Sequence, residues 1–165
     1  MLVLFFGVVE FSSAVAVDRK VTLIARTLSD LTSQSPQTGV SDTDLTNYFN
    51  ASSGIMWPFV PPIYPTAKAT ISELFVDPNS LQARVHWSKG DAPHAVSSII
   101  AIPPQLAIAG TYLIYSEVNF QYVPTIGYVM AKSGINLSDV AYTRPRQWLC
   151  VYYPPDATLP SCPKL

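Results

Sequence analysis

Charged residues are scarce in this chain of 165 residues, and its positive and negative charges nearly cancel. They make up 13% of the sequence, and the net charge is −1, against a charged share of about 25% in typical soluble domains. No basic field is present to hold nucleic acid, so we expect no nucleic-acid partner. Glycine is also sparse, with 7 residues against 15 prolines, which favours extended segments and rigid turns over a helix bundle.

The sequence also shows very little that indicates catalytic chemistry. It contains no GxSxG, HExxH, P-loop or GxGxxG pattern. The two histidines, His86 and His94, have no cysteine or carboxylate at metal-ligand spacing. Glu73, Asp77 and Glu117 could pair as in glycosidases, but carboxylates scattered over a sheet more often form a solvated face. We therefore expect no enzymatic activity, metal, cofactor or small-molecule substrate.

Only two cysteines occur, Cys150 and Cys162, and they flank a proline-rich loop rather than a CxxC motif. If this part of the chain lies outside the cytoplasm, the pair should form a disulfide. A loop of this size would stabilise the fold by roughly 3 kcal/mol in the chain-entropy description. Just before it, Arg144 and Arg146 form a compact basic feature around Pro145. They are either a docking element or two exposed arginines at a turn.

The chain begins with a run of 17 residues that is apolar except for two serines and Glu10. As an α-helix this run is about 26 Å long, against about 30 Å for the hydrocarbon core of a membrane. A carboxylate within such a helix is costly and usually has a function. Here we expect Glu10 to orient the helix against a partner subunit.

The helical pattern continues beyond the apolar run. Val21, Ile24, Leu28 and Leu31 follow at spacings of three and four, which is one face of a helix. We predict one helix over residues 1–33, hydrophobic first and amphipathic after.

It remains open whether this N-terminus is a cleaved signal peptide or a retained helix, and on which side of a membrane the rest of the chain would lie. The small residues at positions 13–16 could form a signal-peptidase site, although no basic region precedes the apolar run. Arg19 and Lys20 follow that run, so the positive-inside rule taken alone would place the C-terminal part in the cytoplasm. The expected disulfide argues the other way.

The remaining sequence favours β-structure, since it is rich in aromatic residues and alternates apolar and polar positions. We predict a domain boundary at residue 34, a linker over 35–66 and a β-rich domain over 67–165. The linker would carry a short helix, residues 43–50, capped by Ser41 or Asp42, and an extended aromatic and proline-rich strip, residues 54–65. The predicted strands are residues 69–76, 81–87, 98–102, 111–123, 136–143 and 148–152, with a short helix over 125–133. The fold class is α+β, a long N-terminal hydrophobic helix followed by an antiparallel sheet, because strands and helices do not alternate.

Two regions resemble proteins of the TadE/TadG-like family, which are minor pilin-like subunits of the bacterial tight-adherence (Tad, Flp) pilus machinery. The first is the N-terminal helix, through Gly7, Glu10 and Phe11 and then Asp18 and Arg19. The second is the stretch YLIYSEVNFQYVPTIGYVM followed by YTRPRQ. Together they cover well under half of the chain, in the order and spacing of the family.

The resemblance implies a pilin-like pseudopilin anchored in the inner membrane by one helix, with its C-terminal domain in the periplasm. Its expected partners are other pilin-like subunits and platform proteins of the pilus, and its expected role is adhesion. Gly7, Glu10 and Phe11 are the candidate residues for helix assembly. The family's prepilin cleavage motif is not in this chain, so we expect a start assigned too late or a truncated chain. The alternative is a secreted or periplasmic binding module, released by signal peptidase, that holds a ligand on residues 57–64.

Overall fold

A computed structural model describes residues 1–59, 66–124, 134–156, 158 and 161–162. Two helices precede an antiparallel sheet of five strands in the order β3-β2-β1-β4-β5. This is the predicted α+β class. The elements are α1 (Leu2–Ser33), α2 (Asp42–Met56), β1 (Lys68–Val76), β2 (Ala83–Gly90), β3 (Ile99–Ile100), β4 (Tyr112–Tyr122) and β5 (Ile135–Thr143).

Helix α1 packs along one face of the sheet over β4 and β5. Its buried stripe continues the predicted one, and Val21, Ile24 and Leu28 are at most 1% exposed. The Ser116 hydroxyl donates to the carbonyl of Ala25 at 2.5 Å, and the Ser29 hydroxyl donates to the carbonyl of Ile114 at 3.3 Å.

These two contacts give the direction of the helix. Between them α1 advances by four residues, about 6 Å, while β4 goes back by two, about 7 Å. The helix therefore runs alongside β4 in the opposite direction.

Each face of the sheet has its own apolar cluster. The face towards α1 contributes Ile71, Trp87, Ile114 and Phe120 to the main core, together with α2 and Val151. The opposite face carries a smaller cluster, covered in part by the segment around Ile100 and Leu106: Leu74, Val76, Ala83, Val85, Leu113 and Tyr115.

A bulge interrupts the hairpin formed by β1 and β2. Glu73 pairs with Trp87, but the next residue of β1, Leu74, pairs with Val85, so His86 is one residue too many on β2. A bulge changes the direction of the extra side chain. In this hairpin it places two consecutive residues of β2, His86 and Trp87, on the face that carries Glu73, whereas strict alternation would place only one of them there.

Helix α2 is longer than predicted and runs to Met56 instead of ending near residue 50. It begins with a capping box, in which the Ser41 hydroxyl accepts from the N–H of Asp44 and the Asp44 carboxylate accepts from the N–H of Ser41. Its end is fixed by α1, because the ammonium of Lys20 donates to the carbonyls of Ile55 at 2.7 Å and Trp57 at 2.9 Å. A cation at these carbonyls stabilises a helix C-terminus.

Other predictions have mixed outcomes. The first five predicted strands are present, although β3 has only two residues. The predicted extended strip is wrong for residues 54–56, which are helical. Residues 60–65 of that strip lie outside the described ranges, and so does the predicted helix over residues 125–133. The predicted strand over 148–152 is also wrong, because side chains rather than a neighbouring strand satisfy the backbone of Val151.

We predict that Ile24→Ala lowers the free energy of unfolding by about 2–5 kcal/mol, because it leaves a cavity between α1 and the sheet. Ile24 is fully buried, whereas its neighbour Leu23 is 52% exposed. Leu23→Ala is the matched control and should change stability by less than about 0.5 kcal/mol. Urea unfolding followed by circular dichroism measures both, and equal effects of the two substitutions would contradict this packing.

Candidate functional site

The N-terminal end of α1 presents apolar side chains to solvent. We call residues 1–11 the projecting segment. Seven of its large hydrophobic residues after Met1 are between 40% and 73% exposed: Leu2, Val3, Leu4, Phe5, Val8, Val9 and Phe11. Phe6, by contrast, is half-buried. Contiguous exposed apolar surface on a soluble domain usually marks an interaction site. The projecting segment is therefore the main candidate surface for assembly.

The three residues predicted to serve helix assembly differ in their surroundings. Phe11 is 68% exposed and Gly7 is half-buried, whereas Glu10 is only 3% exposed in the single chain. Glu10 begins the buried stripe of α1, which continues through Ala14 and Val17. The accessible surface is therefore formed by the apolar residues around Glu10 and not by its carboxylate. The predicted role of Glu10 in orienting the helix towards a partner subunit stays a prediction.

The predicted transmembrane helix, and with it the single-pass inner-membrane location, is wrong. Within the described ranges, no helix combines the length and the apolar character that crossing a membrane requires. A spanning helix needs about 20 predominantly apolar residues. In α1 the apolar run contains Glu10 and stops at Asp18, Arg19 and Lys20.

A second cluster lies at the other end of the same sheet face, where the chain after β5 folds back. We call residues 144–153 the closing segment. The buried carboxylate of Glu73 accepts from the N–H of Val151 at 2.5 Å, and the indole N–H of Trp87 donates to the carbonyl of Val151 at 2.7 Å. The other oxygen of Glu73 lies 2.6 Å from Nδ1 of His86. Two neighbouring side chains thus satisfy both backbone groups of one residue in a segment with no strand to pair with.

Burial dominates the electrostatics of this cluster. It raises the pKa of Glu73 above its usual range, while hydrogen bonds from His86 and Val151 act in the opposite direction. Burial also raises the pKa of Tyr112 to about 12, with a further contribution from the charge of Glu73. Expecting Glu73 on a solvated face was therefore wrong. Glu73 lies on the same face of β1 as the apolar residues Ile71 and Phe75, two positions away on either side. This alternation is the sequence signal that could have indicated its burial.

The closing segment is fastened at two further points. Cys150 and Cys162 form the predicted disulfide. Arg146 donates its backbone N–H to the carbonyl of Ser33 at 2.9 Å, and its guanidinium lies 2.5 Å from the carboxylate of Asp30. The two arginines of the basic feature are thus separated, since Arg146 binds the last turn of α1 and Arg144 does not share this contact.

The other predicted polar residues do not join this cluster. On the opposite sheet face, His94 Nε2 bonds the carboxylate of Glu117, and Asp77 accepts from the N–H of Asn79 in the turn after β1. In the part of the chain that the structure describes, no three His, Cys, Asp or Glu side chains are grouped as metal ligands. The three carboxylates weighed as glycosidase partners are occupied by three separate contacts.

Comparisons with known proteins add no relative, since no family model, curated protein or solved structure matches the chain significantly.

We predict that the stability of the folded chain relative to Glu73→Gln depends on pH. Because the pKa of Glu73 is raised by folding, the folded chain binds a proton more readily than the unfolded chain at pH values above about 4.5. The contribution of Glu73 to the free energy of unfolding therefore decreases as the pH rises from about 4.5 through the raised pKa. Glutamine can accept from Val151 in the same place but does not titrate.

The measurement is urea unfolding of both proteins at several pH values between about 4 and 8. The native chain should lose stability relative to Glu73→Gln as the pH rises. A difference between the two proteins that stays constant over this range would contradict the assignment.

Proposed function

We propose that this chain is a non-enzymatic, minor pilin-like subunit of the TadE/TadG type, which assembles with other pilin-like subunits of a Tad/Flp pilus used in adhesion. The observation that carries the proposal is the projecting segment. It is the N-terminal end of α1, and it exposes seven large apolar side chains after Met1. Exposed apolar surface of this kind is stabilised when it is buried against another chain.

Three further features support the proposal. A long helix packed on an antiparallel sheet is the architecture expected of a pilin-like subunit. The residues that resemble the family lie on α1, at Gly7, Glu10 and Phe11, and along β4. The disulfide between Cys150 and Cys162 fits an oxidising environment outside the cytoplasm.

Assembly would use the apolar side chains of the projecting segment as knobs between neighbouring helices. Phe5 and Val8 are three residues apart and 63% and 68% exposed, so they share one face. Burying each of them in a helix bundle would contribute roughly 1.5–3 kcal/mol. These side chains can be changed without disturbing the core of the subunit, because that core begins further along the helix.

We predict that the double substitution Phe5→Ser and Val8→Ser lowers the number of pili on the producing strain by more than about tenfold, since it removes this apolar contact. The stability of the purified subunit should be unchanged. Leu23→Ser is the matched control, because Leu23 is an exposed residue of the same helix beside the domain, and its strain should have normal pili. Pili are counted by electron microscopy after allelic replacement, with the subunit level checked by immunoblot.

Normal piliation of the double variant at a normal subunit level would contradict the proposal. It would favour the alternative of a binding module that is released by cleavage near Ala16 and functions without the projecting segment.

A separate prediction concerns Glu10. It lies where α1 leaves the domain and is buried although both its neighbours, Val9 and Phe11, are exposed. If it orients the projecting segment for assembly, Glu10→Ala should reduce piliation while the subunit is still produced. A Glu10→Ala strain with normal pili would show that the carboxylate has no role in assembly.

A further inference from the structure

A cavity of about 630 Å³ lies between the end of the sheet and the closing segment. Its floor is formed by Phe75 and Tyr112, whose rings lie 5.0 Å apart, and one wall carries Arg144, Trp148 and Leu149. A volume of roughly 300–1,000 Å³, mostly apolar lining and few polar groups are typical of small-molecule sites. The cavity therefore has the size and the surface of a ligand site.

The wall of this cavity is held in place before any ligand arrives. Arg146 binds the last turn of α1, Val151 is bonded by Glu73 and Trp87, and Cys150 is joined to Cys162. Each attachment reduces the ordering that binding would otherwise require. Trp148 and Leu149 lie between these attachments and are nevertheless 44% and 72% exposed. Apolar side chains on a fixed but exposed wall are available to a ligand.

The charge of the cavity limits what it can hold. Among the lining residues that the structure describes, Arg144 is the one with a charged side chain. No described carboxylate forms an ion pair with it. A guanidinium beside aromatic rings suits a carboxylate, which it can bind through two parallel hydrogen bonds. The one cation of the described lining is too few for a polyphosphate, and a neutral ligand would leave the charge of Arg144 without a counter-charge.

We propose that this cavity binds a small amphipathic carboxylate, in which the acid group contacts Arg144 and an aromatic or aliphatic body lies against Trp148, Phe75 and Tyr112. The site is independent of the proposed pilus assembly, because Arg146 ties its wall to the last turn of α1, at the opposite end from the projecting segment. It gives the subunit a ligand site on its folded domain.

The test uses the full chain labelled with ¹⁵N and follows the indole N–H signals of its three tryptophans by NMR. The probes are 4-phenylbutanoate, its neutral amide and decanoate. We expect 4-phenylbutanoate to shift the signal of Trp148 but not that of exposed Trp57, with a dissociation constant of about 1 mM for a probe of this size. Decanoate measures whether the site prefers an alkyl body to an aromatic one, and binding of either acid at Trp148 supports the proposal.

The variants separate charge from packing. Arg144→Gln should weaken binding of the acid about tenfold, whereas Arg19→Gln, which removes an exposed arginine of α1, should not change it. Trp148→Ala removes the reporting indole, so its binding is followed through the backbone amide signal of Leu149 in the same labelled chain. This variant should also bind the acid more weakly, and Trp57→Ala should not. The neutral amide should bind at least about tenfold more weakly than the acid and be insensitive to Arg144→Gln.

Several results would overturn the proposal. One is the absence of any shift at Trp148 with both acids at about 10 mM, which is well above the expected dissociation constant. Another is equal binding of the acid and the amide. A third is a dilution series in which the Trp148 signal moves with protein concentration alone, because the cavity would then be covered by a second copy of the chain.

Discussion

The structure depends on the packing of one long helix along a sheet that is shorter than the helix. With 32 residues, α1 is about 48 Å long, whereas β4, the longest strand with 11 residues, is about 36 Å. Because the two run side by side from the contact between Ala25 and Ser116, about 12 Å of helix, or roughly eight residues, extends past the strands that the structure describes. The apolar surface of the projecting segment follows from this difference in length.

The same constraint shapes the opposite end of the molecule. Helix α1 lies over β4 and β5, so another part of the chain has to cover the helix side of β1 and β2. The closing segment does this through Val151, whose two backbone groups are bonded by Glu73 and Trp87. An irregular segment is stable in this buried position only because its polar groups are satisfied. The buried carboxylate of Glu73 therefore organises a loop, which is a structural role and needs no substrate.

The projecting segment and the cavity beside the closing segment lie at opposite ends of one helix. The exposed side chains of the projecting segment are mostly apolar, which suits packing against other helices. The cavity beside the closing segment combines aromatic rings with Arg144, which suits a small anion. Assembly through one end would leave the other end free on the folded domain. If both proposals hold, assembly would carry the ligand site on the folded domain of the pilus subunit.

The long helix, the strands of the antiparallel sheet and the pairing of the two cysteines could be predicted from the sequence alone, because local periodicity and the small number of cysteines leave few alternatives. The sequence also locates the apolar start of α1 and shows that this run is shorter than a membrane span and interrupted by Glu10, but it does not show that Glu10 is buried by its own chain. Where the polar residues meet, by contrast, depends on tertiary contacts. The bulge that places both His86 and Trp87 beside Glu73 is a matter of strand register, and the bond from Val151 to Glu73 joins residues 78 positions apart. The separation of Arg146 from Arg144 likewise depends on where the last turn of α1 lies. Contacts between distant segments leave no periodic trace in the sequence, so no local pattern predicts them.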